Sequence, residues 1–118
     1  MVHAKRRLAY LQVQEDNLKF KAKIFRALSD PVRLEILRFL RDGEKCVCII
    51  TPHVNLIQPL VSRHLKILKE SGLVKVRRNG INRYYSITDK RIFEVMNDLT
   101  PDMITSLTNH IIEQIAVK

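Results

Sequence analysis

QPLVSRHLKILKESGL, residues Gln58 to Leu73, carries one apolar stripe and one polar, cationic face. Read with a helical period, Val61, Leu65 and Leu68 fall at i, i+4 and i+7 and require burial. Gln58, Ser62, Arg63, Lys66 and Lys69 then point elsewhere. Pro59 sits in the first turn, where its missing N–H costs nothing, and Gly72 supplies a left-handed stop. The spacing predicts a helix of about four turns that packs on one side and offers donors and positive charge on the other. Such a face suits the major groove of a duplex, where Gln and Arg read base edges and Lys holds phosphates. A solvated amphipathic surface helix is the competing reading of this segment alone.

The 118 residues suit one compact domain, read here as residues 1–118, and 46% apolar content argues against disorder. No run approaches the roughly 18 apolar residues needed to span a bilayer. MVHAKRRLAY has a basic start with no apolar core behind it, so no export signal is read there. The expected location is the cytoplasm, away from membranes, with Cys46 and Cys48 as thiols and no structural disulfide.

The formal net charge is +9, and its distribution matters more than its size. Between Gln58 and Arg83 stand Arg63, Lys66, Lys69, Lys75, Arg77, Arg78 and Arg83, against Glu70 alone. That concentration is the footprint of a polyanion binder. The charge runs on from a helix into a hairpin, which fits nucleic acid better than a membrane surface.

Taken in order, residues 4–28 have a helical pattern with a break between Gln14 and Asn17, Leu18, Ala22 and Phe25 sharing one face. Ser29 and Asp30 offer a cap and Pro31 opens the next helix, whose stripe is Val32, Ile36, Phe39 and Leu40. A short helix follows near Cys46. Its Pro52 removes a bond to the Cys48 carbonyl, so either the helix is distorted around the cysteines or it starts late with Thr51 as cap. Asn55 suits the tight turn into the Gln58 helix. After Gly72 the period becomes two, and the Asn79-Gly80 pair predicts the hairpin loop. Val76 then faces Arg83 and Val74 faces Tyr85, with Val74, Val76, Tyr85 and Ile87 on the packed side.

Thr88 or Asp89 caps a further helix carrying Ile92, Phe93 and Met96, and Thr100-Pro101-Asp102 restarts the last one. That helix presents Met103, Ile104, Leu107, Ile111 and Ile115 on one face, more apolar surface than a single small domain needs to cover. It is expected, with the first helix, to form a symmetric dimer interface.

The fold class is therefore mainly α with a two-stranded β-hairpin, a winged helix-turn-helix dimerising through its first and last helices. FRALSDPVRLEILRFL, KCVCII, QPLVSRHLKILKESGLV and RRNGINRYYSI, in this order, resemble the metalloregulatory repressors of the ArsR/SmtB family. The resemblance runs from Phe25 to Ile87. It implies a homodimeric transcriptional repressor on a palindromic double-stranded DNA operator, released by an inducer. On this resemblance Gln58, Ser62 and Arg63 fall on DNA-contacting positions, with His64 and Lys66 as further candidates and Leu60 set for a thymine methyl. Arg77, Arg78 and Arg83 match the wing's backbone contacts. Ile57 stands where the family usually has a serine cap.

The same resemblance makes Cys46-Val47-Cys48 a thiolate site for As(III), Sb(III) or a soft divalent metal acting as inducer, with no obligatory cofactor. Thiolates suit thiophilic ions, but residues two apart on a regular helix point to nearly opposite sides. The turn must therefore depart from a regular helix. With two thiols per chain, His3 or His53 would have to complete a three-ligand site. The family's terminal-helix metal site keeps only His110 and Glu113, Asn97 and Leu99 occupying the earlier positions. A regulator that responds to thiol oxidation, or one without metal sensing, remains open. So does a winged-helix module for RNA or a protein. An enzyme is the least favoured class, since the chain lacks a nucleophile or carboxylate constellation and a Gly-rich phosphate loop.

Overall fold

The break at Ser29-Asp30-Pro31 separates a leading helix pair from the helix on which the core is built. The computed structural model of the chain describes residues 2–15 and 17–116. They fall into two compact units divided between Thr88 and Asp89. The leading pair is α1 (Val2–Glu15) and α2 (Asn17–Leu28). The expected stripe of α2 faces outward: Leu18 is 81% and Phe25 58% exposed, while Ala27 is buried. Only the last turns of α2, through Ile24, Ala27 and Leu28, turn toward α3.

Helix α3 (Pro31–Leu40) begins as the sequence predicts, with the Asp30 carboxylate accepting from the amides of Val32 at 2.8 Å and Arg33 at 3.2 Å. Its fully buried residues are Ile36, Leu37 and Leu40, with Val32 and Phe39 half-buried. Leu37 lay outside the predicted stripe. It is buried because α3 is central and is packed on several sides, by α2 and by three elements that follow it.

Past Gly43 the chain forms a two-residue strand, β1 (Lys45–Cys46), and then α4 (Val47–Val54). The helix opens near Cys46, as one of the two predicted forms has it, and the late start at Thr51 is not found. Cys46, not Thr51, is the N-cap, in extended backbone with φ −69° and ψ 145°. Thr51 lies inside the helix, its hydroxyl donating to the Val47 carbonyl at 2.9 Å. Pro52 is accommodated within α4, at the cost of one bond. Asn55 closes α4 in the left-handed region at φ 55°. Helix α5 (Gln58–Glu70) follows and ends before Gly72, whose φ is +82°.

Strands β2 (Val74–Asn79) and β3 (Asn82–Ile87) form the hairpin, and β1 adds to it, giving an antiparallel sheet of order β1-β3-β2. The expected two-stranded hairpin is thus three-stranded, and its register also differs. Val74 pairs with Ile87, Val76 with Tyr85 and Asn79 with Asn82, so the loop is Gly80-Ile81. An Asn79-Gly80 loop of the mirror-image type would need positive φ at Asn79. Gly80 has φ +64°, and the only described non-glycine residue with positive φ is Asn55. The glycine takes the first loop position, where one positive φ suffices. The shift is by two residues, so the side assignments survive, and Val74 and Tyr85 are buried.

The second unit holds α6 (Ile92–Asp98) and α7 (Pro101–Ala116). Asp89 accepts from the Arg91 amide at 3.0 Å but is not itself the N-cap, which is Arg91. The Arg91 guanidinium and amide hold the Asp89 carboxyl down at about 2. Thr100 accepts from the Met103 amide at 3.2 Å and starts α7 as the cap-then-proline pattern predicts. Every described residue of α7 is exposed, its isoleucines included.

The Asp30 cap is a testable support of α3. Burial opposes ionisation of its carboxyl, but the Arg33 and Val32 amides together with the nearby positive charge outweigh it and hold the carboxyl below its ordinary value. Its contribution is therefore present above the ordinary carboxylate range and lost as pH falls through the lowered folded value. Asp30→Ala is expected to cost about 1 kcal/mol at neutral pH, read by urea denaturation. Most of that difference should vanish once pH falls below the lowered folded value.

Candidate nucleic-acid interface

Burial fixes the rotation of α5. Val61 and Leu68 are wholly buried and Leu65 is 1% exposed, packed where α5 meets α3, α4 and β2. Gln58, Leu60, Arg63, Lys66 and Lys69 are exposed as a consequence, and Ser62 is half-buried. Arg63 has no ion-pair partner among the described residues, and Lys66 only a loose one in Glu70 at 4.0 Å. Ile57 gives no side-chain cap to α5, as its apolar side chain predicts.

His64 does not share the outward face. Its Nδ1 lies 3.1 Å from Arg33 Nη1 and 3.9 Å from the Asp30 carboxylate. Since a guanidinium only donates, Nδ1 is the acceptor in that contact. Arg33 also donates to the carbonyls of Ala27 at 2.6 Å and Arg26 at 3.2 Å. Through Arg33, His64 thus ties α5 to the start of α3 and the end of α2.

On the hairpin the three arginines differ. Arg77 makes a two-pronged pair with Glu44, at 3.0 and 2.7 Å, and lies over the Tyr84 ring at 4.7 Å. The Arg77 hydrogen bonds hold the Glu44 carboxyl below its ordinary value. Arg78 is exposed and stands directly across from Arg83 in the register. Two like charges face each other there with no acid paired to either among the described residues, an arrangement that an anion relieves. Ile81 at the tip is wholly exposed.

Cys46 and Cys48 are joined in a disulfide, which corrects the expectation of free thiols. Cys46 stands in extended backbone ahead of α4, so the two cysteines do not occupy opposite sides of one regular helix, and their Cα atoms lie 5.1 Å apart. The Cys48 amide also donates to Cys46 Sγ at 3.1 Å, so this sulfur caps α4. Both cysteines line a cavity of about 300 Å³ together with Gln58, Ile81, Asn82 and Arg83. The start of α5 and the tip of the hairpin therefore meet at the sulfurs.

The remaining predicted ligands are elsewhere. His53 stacks on Phe39 with ring centroids 3.8 Å apart and bonds Glu35 at 2.9 Å, and Glu35 also pairs with Arg38. His3 is exposed on α1. His110 and Glu113 are exposed on α7, with His110 beside Gln114 at 3.2 Å. Among the described residues no group of three or more His, Cys, Asp and Glu side chains is placed to hold a metal ion. No described helix is long and apolar enough to cross a membrane.

This arrangement has known counterparts. Residues 30–76 match the family model described as "Bacterial regulatory protein, arsR family". An HTH-type transcriptional regulator of Methanocaldococcus jannaschii is 45% identical over 76 residues, 64% of this chain and 85% of that protein. The chain belongs to the ArsR/SmtB family. Another member, the arsenical resistance operon repressor of Staphylococcus xylosus, is 44% identical over 64 residues, 54% of this chain and 62% of its own length. The homodimeric winged helix-turn-helix DNA-binding domain of a possible ArsR-family regulator from Mycobacterium bovis superposes with a TM-score of 0.65. It is 26% identical and covers 86% of this chain and 90% of that one.

As an ArsR/SmtB member the chain is a winged-helix transcriptional regulator, with α4 and α5 as its helix-turn-helix and β2–β3 as its wing. Sequence reasoning missed Glu44, which neutralises Arg77, and Ile81 and Asn82, which close the cavity. The acid so near a basic hairpin was a readable signal; the two-residue strand that brings it across was not. Arg78→Ala is expected to weaken binding to all duplexes and lower the salt slope by about one unit, while Arg63→Ala relaxes sequence discrimination. Arg77→Ala should change the slope by less than Arg78→Ala, because Glu44 already holds that charge. Titrations at several salt concentrations check all three.

Proposed function

We propose that the protein is a dimeric, sequence-specific repressor that lets go of its operator when the Cys46–Cys48 pair changes state. The observation that carries this reading is the shared cavity, in which the two sulfurs, the first residue of α5 and the wing residue Arg83 are neighbours. Anything seated on the sulfurs would move the start of the reading helix, which has no side-chain cap to hold it. Gln58, Leu60, Ser62 and Arg63 would supply base and phosphate contacts, with Lys66, Arg78 and Arg83 holding the backbone. The exposed apolar face of α7, with that of α1, supports a symmetric dimer, and two-fold symmetry would set two α5 helices in successive major grooves of a palindrome.

The inducer we infer is a thiophilic ion, arsenite, antimonite or a soft divalent metal, which agrees with the arsenical resistance named for the Staphylococcus relative. Reduction of the disulfide must come first, since only thiolates bind such an ion, each with loss of a proton. The chain then offers two sulfur ligands, and the described residues add no third. The disulfide itself favours a second reading, a thiol switch. Two thiols would pass two electrons and two protons to a peroxide, leaving the disulfide and two waters.

Fluorescence anisotropy on a selected operator separates the two. The reduced protein should bind, and arsenite, antimonite or cadmium should release it, with zinc much less effective and Cys46→Ser/Cys48→Ser refractory. Release by peroxide but by none of the ions would replace the first reading with the second. Equal response of wild type and the double variant to every agent would sink both.

A further inference from the structure

We propose that α2 carries a second DNA-contacting surface, a stripe of Lys19, Lys23 and Arg26 that holds duplex phosphates beyond those reached by α5 and the wing. It rests on the DNA-binding reading above. Residues 1–28 contain seven Lys and Arg against only Glu15 and Asp16, a second basic concentration that helix and wing do not absorb. Lys19, Lys23 and Arg26 recur at i, i+4 and i+7, so they share one face of α2. All three are exposed, and none has an ion-pair partner among the described residues.

The faces of α2 are divided. Ile24, Ala27 and Leu28 turn toward α3, while Leu18, Ala22 and Phe25 make an exposed apolar stripe. The basic stripe is one residue, or about 100° of rotation, out of phase with the apolar one. A second copy of the chain covering Leu18 and Phe25 would leave the cations open. Around them lies a concave shelf of about 480 Å³ to which Gln12 and Phe20 also contribute. Its charged groups are all cations, as a phosphate backbone requires.

Continuity with the reading helix decides the occupant. The Arg33 guanidinium bonds the carbonyls of Arg26 and Ala27 and the ring of His64. The end of the stripe and the middle of α5 are therefore held by one side chain. In this proposal a duplex on α5 would extend to the Arg26 end of the stripe, whereas an unrelated RNA or acidic protein would have no reason to share that neighbourhood.

The test uses the full chain and its selected operator, with long and with trimmed flanks. In Lys19→Gln/Lys23→Gln/Arg26→Gln the slope of log affinity against log salt should fall by about two to three units per chain bound, at about 0.9 for each lost phosphate contact. The ratio of operator to scrambled-duplex affinity should stay unchanged. Trimming the flanks should weaken wild type and leave the variant unaffected. Lys23→Gln alone, the mildest change, should lower the slope by about one unit. A wild-type slope and flank dependence in both variants would overturn the proposal, as would lost discrimination or an altered oligomeric state by sedimentation, which would mark the stripe as structural. Failure of wild type itself to discriminate any duplex would instead remove the DNA reading on which the proposal stands.

Discussion

Burial of Val61, Leu65 and Leu68 against the core is the constraint on which the rest depends. Each side chain contributes about 1.5 to 3 kcal/mol by leaving water, and together they permit α5 only one rotation. That rotation presents Gln58, Arg63, Lys66 and Lys69 to solvent as a set. Arg33 adds a polar lock: its bonds to His64 and to the end of α2 fix the same helix from the side. Recognition here is less a matter of individual contacts than of a helix that cannot roll.

The start of α5 is held differently. Ile57 gives it no cap, Pro59 gives it one donor fewer, and the left-handed Asn55 joins it to a helix whose own cap is a cysteine sulfur. A well-packed middle with a lightly held start is a physically sensible division. The middle keeps the orientation, and in the proposed mechanism the start would respond to the sulfurs. The strand-to-helix change at Cys46 is what makes the sulfurs neighbours at all, because it removes the helical periodicity that would separate them.

The legibility of this chain followed the range of the interactions. Local rules were readable: the Asp30-Pro31 cap, the Gly72 stop, the Asn55 turn and the Thr100-Pro101 restart stand where short-range chemistry puts them. The stripe of α5 was readable because 3.6-residue periodicity reports burial directly. What failed was long-range. The strand Lys45–Cys46 exists only through pairing with Tyr84 and Tyr85, and two residues carry no periodicity. The loop at Gly80-Ile81 was misplaced because Asn-Gly fits a turn with two positive φ values, whereas the strands close on one. The partners of His64 and Arg77, namely Arg33 and Glu44, were likewise not readable, because sequence shows charge and not what lies beside it.

Selection from a random duplex pool, followed by methylation interference, tests the central claim most directly, since guanine N7 lies in the major groove. The expected result is enrichment of a two-fold symmetric site whose interfering guanines cluster in half-sites one helical turn, about 10 base pairs, or a multiple of it apart. Arg63→Ala should erase interference at specific guanines within each half-site. No enrichment over the starting pool, or interference confined to the minor groove, would contradict α5 as the element that reads DNA.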